Sequence, residues 1–444
     1  MKFSGLPSYA LAMTLFGMAT LNPLVAAEPL RDQVKADYAG HLGDLFVHFH
    51  RNPELSMMEF KTAERLAQEL RAAGFDVSTG IGGTGIIGLM ENGAGPTVMV
   101  RADMDGLPVL EKSGLAYASS ATQIDWSGRE VPVMHACGHD MHMTSLVGTA
   151  RYMATHKEAW SGTLMLIGQP AEERVGGAKM MMQDGLWGAY PKPDYALALH
   201  VSADTPAGKL VAATDAMYSG ADTVDIAITG VAAHGASPHA GIDPVVLGSQ
   251  IVLALQTLVS RELPPREPGV VTVGSFHAGT KHNIISDSAH LELTVRSEDP
   301  KSRQLLLDGI VRIAENMGRV AGLPEDKLPI VTISDESVPP TVNDKALTER
   351  LRSVWQSTLG DDIFDEGKRL GMGAEDFGYF TVDPYIPSTY FAVGGTPQTL
   401  IENAKNGGAP VPSHHSGLFK IEPEASITLG VEATVIALLE LFDE

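Results

Sequence analysis

The chain has 444 residues, of which 44% are hydrophobic and 19% are charged, and it contains one cysteine. This composition is ordinary for a folded protein of two or more domains, so it argues against intrinsic disorder. The formal net charge of −22 argues against a nucleic-acid partner or an anionic membrane surface, because both need a basic patch. A single cysteine cannot form an internal disulfide bond, so it does not indicate a redox compartment.

Residues 1–27 are predicted to be a signal peptide for export. Lys2 is followed by a moderately apolar run from Tyr9 to Leu24, and Ala26 and Ala27 supply the small residues of a cleavage site. The run is short and polar residues interrupt it, so a permanent transmembrane helix is less favoured. We therefore expect an exported protein, periplasmic or secreted. No stable membrane span is expected, since no other apolar run looks long enough to cross a bilayer.

Helices and strands alternate in residues 28–218. Helical spacing extends from about Gln33 to Ala73, with a break at Asn52-Pro53. The remaining predicted elements are strands at Asp76–Ser78, Gly85–Glu91 and Thr97–Arg101, a helix at Asp140–His156, a strand to Gln169, a helix near Gly177–Gln183 and a strand to His200. This alternation predicts an α/β domain with a mixed sheet flanked by helices.

The pattern changes in residues 219–334, which are predicted to form a separate inserted domain. Its elements are a strand at Asp222–Thr229, a helix at Pro244–Ser260, strands at Val270–His277 and Ala289–Arg296, a helix at Lys301–Ala321 and a strand at Ile330–Ser334. The order β-α-β-β-α-β is that of a ferredoxin-like α+β domain. Residues 335–444 then return to the first domain, with a strand at Thr389–Val393 and a helix at Ile427–Leu441.

Three predicted strands of the first domain run into residues of the kind that bind metal ions. Asp103 and Asp105 follow one strand, Glu172 and Glu173 follow a second, and His200 ends a third. In an open α/β sheet, ligands gather at the carboxyl ends of the strands. Imidazole and carboxylate groups delivered there predict a hydrolytic metal site, and therefore an enzyme.

Cys137 and His139 lie two residues apart on a predicted strand-to-helix loop. A thiolate and an imidazole on one short loop suit a first-row divalent ion. The alternative, a cysteine that is only a small buried hydrophobe, is weak beside so many neighbouring histidines and Asp140. His135 and His142 are alternative ligands, but each could equally support the site indirectly or face solvent, so His139 is preferred.

The adjacent acids Glu172 and Glu173 can have different roles at a metal site. Side chains of successive residues diverge, so one of Glu172 and Glu173 can bind metal while the other faces the attacking water as a general base. Two solvated loop acids are the alternative interpretation. Asp103 and Asp105 present the same choice, and Asp105 suits a carboxylate that holds a histidine ligand in place.

Eight successive motifs resemble those of the aminoacylase/carboxypeptidase family of two-metal hydrolases, in its amidohydrolase branch. That branch contains hippurate hydrolases, N-acyl-amino-acid amidohydrolases and plant indole-acetyl-amino-acid hydrolases. The motifs, which cover nearly the whole mature chain, are Arg101–Pro108, His135–Asp140, Pro170–Glu173, Leu199–Val201, Ala233–His239, Asn283–Asp287, Gly373–Phe377 and His415–Phe419.

The resemblance implies a catalytic domain of the zinc-exopeptidase type and assigns roles within it. Glu172 would be the general base, and the metal ligands would be Cys137, His139, Glu173, His200 and His415. The choice of His415 rests on the resemblance alone. Gly417 replaces the proline usual in the family, and His414 is adjacent, so the choice between His414 and His415 stays open.

For the inserted domain, the resemblance implies a lid that often mediates dimerisation, so a homodimer is expected. His234 would reach the scissile carbonyl, commonly across the dimer, and stabilise the developing oxyanion. Asn283 and Arg296 would hold the substrate carboxylate, which would explain how so acidic a protein accepts an anionic substrate. An ordinary surface cation is the alternative interpretation of Arg296.

The expected activity is metal-dependent hydrolysis of the amide bond in N-acyl- or aryl-acyl-amino acids. The alternatives are a carboxypeptidase or dipeptidase on the same fold, or an exported binding protein without turnover. Two divalent ions are implied as cofactors: zinc or manganese is expected first, and cobalt and nickel are compatible with the donors.

Overall fold

The computed structural model describes Met1, residues 29–367 and residues 371–443. Apart from Met1, the predicted signal peptide lies outside the described residues. The α-helices are α1 (Leu30–Asp37), α2 (Gly43–Arg51), α3 (Phe60–Ala72), α4 (His139–Thr155), α5 (Gly177–Gln183), α6 (Leu186–Ala189), α7 (Pro244–Thr257), α8 (Pro300–Val320), α9 (Lys345–Leu359), α10 (Gly378–Thr381), α11 (Gln398–Lys405) and α12 (Pro423–Phe442).

The strands occur in both the N- and C-terminal parts of the chain. They are β1 (Asp76–Ile81), β2 (Gly85–Asn92), β3 (Thr97–Asp103), β4 (Thr122–Ile124), β5 (Glu130–Pro132), β6 (Gly162–Gln169), β7 (Tyr195–Pro206), β8 (Leu210–Val211), β9 (Ala216–Tyr218), β10 (Gly220–Thr229), β11 (Ala233–His234), β12 (Gly269–Ala278), β13 (Ile284–Ile285), β14 (Ser288–Ser297), β15 (Ile330–Ile333), β16 (Thr341–Val342) and β17 (Ser388–Thr396).

The main sheet has seven strands in the order β1-β2-β6-β3-β7-β17-β8. Strands β6, β3, β7 and β17 are mutually parallel, and β1, β2 and β8 are antiparallel to their neighbours. The parallel strands are apolar along most of their length because they are buried on both faces. This arrangement confirms the predicted mixed-sheet α/β class.

Strand β7 is longer than the sequence predicts. The prediction that this strand stops at His200 is wrong, because β7 continues to Pro206 and pairs with β17 along its extended part. Arg101 of β3 lies opposite Ala198, so His200, two residues further on, is level with Asp103 at the carboxyl end of β3. His200 therefore lies at the edge of the sheet where β3 ends, although it is in the interior of β7.

A second, antiparallel sheet of four strands is built from residues 220–333, in the order β12-β14-β10-β15. Helices α7 and α8 cover one face and pack on Leu291, Leu293 and Val295, which alternate along β14. The elements follow one another as β-α-β-β-α-β, which is the ferredoxin-like order. We call residues 220–333 the lid.

Two described helices are long and apolar enough to cross a membrane by length and composition alone, Pro244–Glu262 and Pro423–Phe442. The expectation that the sequence contains no such run is therefore wrong for these two segments. The second segment is largely buried in the main core, as expected for the core helix of a globular domain. The first packs one face on the lid sheet and exposes the other.

A buried ion triad joins α2 to the start of α4. His50 Nδ1 lies 2.6 Å from Asp140 Oδ2, and His50 Nε2 lies 3.1 Å from Glu111 Oε1. Burial acts to lower the pKa of His50, but its bonds to the two carboxylates outweigh burial and raise that pKa to about 10. A charged imidazole therefore ties α2 to the first turn of the helix that carries His139.

Candidate metal centre

The loop before α4 requires glycine at its centre. Gly138 has φ = 89°, in the left-handed region, and a Cβ atom added there would lie 2.3 Å from Val201 Cγ1. Because glycine allows the loop to pack against β7, Cys137 and His139 are both held in the interior at the carboxyl end of β3. The buried positions of Cys137 and His139 therefore depend on glycine at position 138.

The structure brings the predicted donor atoms together. Cys137 Sγ lies 3.4 Å from His200 Nε2, and His139 Nε2 lies 3.9 Å from Glu173 Oε1. Cys137, His139 and Glu173 offer ligand atoms that all lie within 4.8 Å of one another. His415 Nε2 lies 3.2 Å from Glu173 Oε2, at the more exposed side of the group. We call Cys137, His139, Glu173, His200 and His415 the donor cluster.

The donor cluster fits metal ions on two observations. His139 Nε2 and Glu173 Oε1 are buried without a hydrogen-bond partner, which is costly unless a cation supplies the missing interaction. Metal–ligand distances of about 2.0–2.3 Å in tetrahedral sites imply donor–donor separations of roughly 3.3–3.8 Å. The observed separations of 3.2, 3.4 and 3.9 Å span this range.

Hydrogen bonds to the protein distinguish the histidines. His200 Nδ1 donates to the Val201 carbonyl over 2.6 Å, which leaves the Nε2 lone pair directed at Cys137. His142 has no free nitrogen, because Nδ1 bonds Asp103 Oδ1 over 2.6 Å and Nε2 accepts from the Val201 N–H over 2.8 Å. His142 therefore supports the site from behind, and the alternative that it is a ligand is disfavoured.

The other two histidines near the loop also differ in their partners. His414 Nε2 accepts from the Ala203 N–H over 3.1 Å, and His414 Nδ1 lies 3.9 Å from Cys137 Sγ. The proton of neutral His414 is then on Nδ1, so this nitrogen faces the sulfur as a donor. His135 is buried with both ring nitrogens unpaired, and its ring centroid is 6.5 Å from that of His139.

Asp105 contacts both glutamates and His139. Its Oδ1 accepts from the Glu172 N–H and its Oδ2 accepts from the Glu173 N–H, each over 3.1 Å, and Ser56 Oγ donates to Oδ2 over 2.6 Å. His139 Nδ1 lies 3.2 Å from Asp105 Oδ1, although the two are not aligned as a hydrogen bond. Asp105 thus orients both glutamates and lies beside the imidazole.

Glu172 lies next to the donor cluster without belonging to it. Glu172 Oε2 is 3.7 Å from His139 Nε2. The carboxylates of Glu172, Glu375 and Asp376 form a separate group, in which one oxygen of each lies within 4.8 Å of the others. Burial first, and then the charges of Glu375 and Glu173, raise the pKa of Glu172 well above its ordinary value. A cation bound nearby would favour the ionised form of Glu172.

The buried Arg101 is a site residue that was not predicted from the sequence. Its guanidinium bonds Asp103 over 2.6 Å, Glu375 over 2.8 Å and Gln169 over 2.7 Å. A useful signal was an arginine at the end of an otherwise apolar strand, since such a residue must find carboxylate partners when the strand is buried. Arg101 compensates part of the acidic charge behind Glu172.

The protonation of two ligand candidates suits metal binding. Burial, followed by the charges of Glu173 and Glu172, raises the pKa of the Cys137 thiol well above its ordinary value, so a bound cation must displace that proton. Burial, together with His142 and His414, lowers the pKa of His200 well below its ordinary value. His200 is therefore held as the neutral imidazole that metals bind.

In the described part of the chain, no bond or ion pair joins the three predicted lid residues to the donor cluster. His234 is exposed, and β11 pairs with β13, so it is adjacent to Asn283, whose carbonyl accepts from the Gly235 N–H over 2.9 Å. Arg296 is half-buried on the sheet face not covered by helices. Burial lowers the pKa of Arg296, and Asp222 opposes that shift.

Comparisons with known proteins identify the family. The model of peptidase family M20/M25/M40 matches residues 99–409. The chain is 34% identical to the hippurate hydrolase of Campylobacter jejuni, over 78% of this chain and 86% of that one. It is also 34% identical to thermostable carboxypeptidase 2 of Saccharolobus solfataricus, over 78% of this chain and 83% of that one.

A solved structure shows the same fold. The YxeP protein of Bacillus subtilis, described as a dinuclear metal binding peptidase from the M20 family, superposes with a TM-score of 0.74 at 24% identity, covering 92% of this chain and 99% of that one. The motif order, the sheet topology and the family match over most of the chain agree. The chain belongs to peptidase family M20/M25/M40.

Proposed function

We propose that the protein is a metal-dependent amidohydrolase that cleaves the amide bond of N-acyl- or aryl-acyl-amino acids. The observation that carries this proposal is a free carboxylate, Glu172, 3.7 Å from His139 within a set of thiol, imidazole and carboxylate donors. The hippurate hydrolase relative supports the substrate class, since hippurate is an aryl-acyl-amino acid. The Glu172-Glu173 pair argues against a binding protein without turnover.

In this proposal the donor cluster, Cys137, His139, Glu173, His200 and His415, holds two divalent ions. When bound, the ions polarise the scissile carbonyl and make the attacking water more acidic. Glu172 accepts the proton of that water and delivers it to the leaving nitrogen. Its buried position near Glu375, which raises the pKa of Glu172, favours holding the proton between the two steps.

The lid supplies the groups for the anionic end of the substrate. In the proposal, Arg296 and Asn283 bind the carboxylate of the amino-acid moiety, and His234 donates to the carbonyl oxygen as negative charge develops. His234 is exposed on the ribbon formed by β11 and β13. In the proposal, lid closure or a second copy of the chain brings it to the substrate.

Replacing Glu172 with glutamine tests the base assignment. The amide keeps the size of the side chain but cannot take a proton, so we expect full metal content and a loss of kcat of about 10²–10⁴-fold on hippurate and N-acyl-amino acids. Glu130→Gln, at an exposed position of β5, is the matched control and keeps its activity. Retained turnover in Glu172→Gln refutes the assignment, and inactivity of metal-loaded wild type on a broad substrate panel refutes the function.

A carboxypeptidase activity is the second candidate, because a carboxypeptidase is among the relatives of equal identity. Both reactions use the same donor cluster and the same base, so they differ in what the pocket accepts on the acyl side. Ratios of kcat/KM for dipeptides against N-acyl- and aryl-acyl-amino acids decide between them. A higher ratio for dipeptides favours the carboxypeptidase.

We further propose a homodimer formed through the lid. Helix α7 exposes Val246 and Leu253, which are 53% and 72% exposed, and β12 is an edge strand of the lid sheet. Leu253→Glu should yield monomers in sedimentation experiments, whereas Leu400→Glu, outside the lid, should not. If His234 acts across the dimer, the monomer also loses activity while keeping its metal.

Two further assignments complete the proposal. Zinc or manganese is the proposed resident metal, with cobalt and nickel as alternatives, and elemental analysis of isolated protein with reconstitution of the metal-free enzyme tests it. Export to the periplasm or the medium is proposed from the first 27 residues of the sequence. Cell fractionation and N-terminal sequencing test it, and a mature chain that begins at Glu28 is expected.

A further inference from the structure

The uncovered face of the lid sheet carries a second group of metal-binding side chains. Asp225 on β10 and His290 and Glu292 on β14 project from the face opposite α7 and α8, because Leu291 and Leu293 point into the helix-covered core. One ligand atom of each lies within 4.8 Å of the others. We call Asp225, His290 and Glu292 the lid triad.

The spacing of the lid triad is close to that of a coordination shell. His290 Nε2 lies 3.0 Å from Asp225 Oδ1 and 4.0 Å from Glu292 Oε1. Ligand distances of about 2.0–2.2 Å around a tetrahedral ion require donor separations of roughly 3.3–3.6 Å. Small rotations of exposed side chains bring both pairs to that separation.

The strand register adds an electrostatic reason for a cation. Asp225 is the direct partner of Glu292. Two carboxylates placed opposite each other repel, and a divalent ion between them removes this cost.

We infer that Asp225, His290 and Glu292 form a second divalent-metal site on the lid, separate from the donor cluster. One imidazole and two carboxylates, with water completing the shell, suit zinc and its first-row neighbours. An ion held there links two strands of the lid sheet, β10 and β14. The site therefore couples metal supply to the stability of the lid and leaves the amide chemistry to the other centre.

Zinc binding to the holoenzyme tests the inference. With the catalytic centre already loaded, equilibrium dialysis against zinc should give one additional ion per chain in the wild type. His290→Gln and Asp225→Asn should each weaken that additional binding at least tenfold. His239→Gln, which removes another exposed lid histidine, is the matched control and should bind as the wild type does.

Two further measurements separate this site from the catalytic one. Zinc should raise the Tm of the loaded wild type, and His290→Gln should lose that rise while keeping its kcat and its two catalytic ions. Equal zinc stoichiometry and equal zinc-dependent Tm in the wild type, His290→Gln and Asp225→Asn would overturn the inference and leave an ordinary surface ion pair. Loss of activity in Glu172→Gln bears only on the proposed hydrolysis, so the two proposals fail independently.

Discussion

Asp105→Asn perturbs the site without removing a proposed ligand. The two carboxylate oxygens accept three hydrogen bonds, from the Glu172 and Glu173 N–H groups and from Ser56 Oγ. Asparagine has one oxygen, so in either orientation its NH₂ group faces a buried backbone N–H. A buried donor left without an acceptor costs about 1–3 kcal/mol.

The same change should weaken metal binding. Replacing a residue that hydrogen-bonds to a metal ligand, as Asp105 does to Glu173, typically lowers metal affinity or activity about 10–100-fold. At about 1.36 kcal/mol per tenfold, this equals roughly 1.4–2.7 kcal/mol, which agrees with the cost of the lost acceptor. Since Asp105 holds both Glu172 and Glu173, we expect kcat/KM to fall together with metal affinity.

Competition with a chromogenic chelator measures the metal affinity of Asp105→Asn, and urea unfolding of the metal-free protein measures the structural cost. Ser56→Ala is the graded control: it removes one neutral donor but leaves both backbone N–H bonds, so a loss of less than about tenfold is expected. Wild-type metal affinity in Asp105→Asn would refute the reasoning that Asp105 organises the cluster.

Two further predictions concern the loop and the helix that carry the cluster. His50→Gln breaks a buried ion triad and should cost about 3–5 kcal/mol of unfolding free energy. The pKa of His50 is raised from 6.5 to about 10. The difference in unfolding free energy between wild type and His50→Gln should therefore have its full size below pH 6.5 and disappear as pH rises towards 10. Urea unfolding across that pH range checks this. Gly138→Ala places a methyl group against Val201 and should lower metal content, as elemental analysis will show. Gly185→Ala has the same left-handed strain with open space around it, and metal content unchanged from wild type is expected; equal loss in both would contradict the steric argument.

Apolar periodicity and apolar runs were enough to predict most of the elements. The strands leading to Asp103 and Glu172 are buried on both faces, so their sequences are almost continuously apolar and easy to recognise. The end of β7 was misplaced because the polar residues after His200 look like a turn. In the structure the neighbouring strand β17 supplies backbone partners for that segment, and such long-range pairing has no local signal.

The choice among histidines could not be predicted from spacing. His139 and His142 lie in the first turn of one helix, and both were candidate ligands. Only the packing of α4 against β3 and β7 occupies both nitrogens of His142 with Asp103 and Val201, while His139 Nε2 keeps no protein partner. The roles of His234, Asn283 and Arg296 stay predictions, because they depend on how the lid meets the substrate.

The amino-acid sequence by itself determined which donor groups are available: one thiol, a set of imidazoles and paired carboxylates placed beside apolar strands. It determined this because residue type sets donor chemistry and apolar pattern sets burial. The tertiary structure alone decided which donors meet, which are occupied by other partners, and that Arg101 compensates the buried acids. These outcomes depend on distances between atoms that are far apart along the chain, and only the packed strands and helices set those distances.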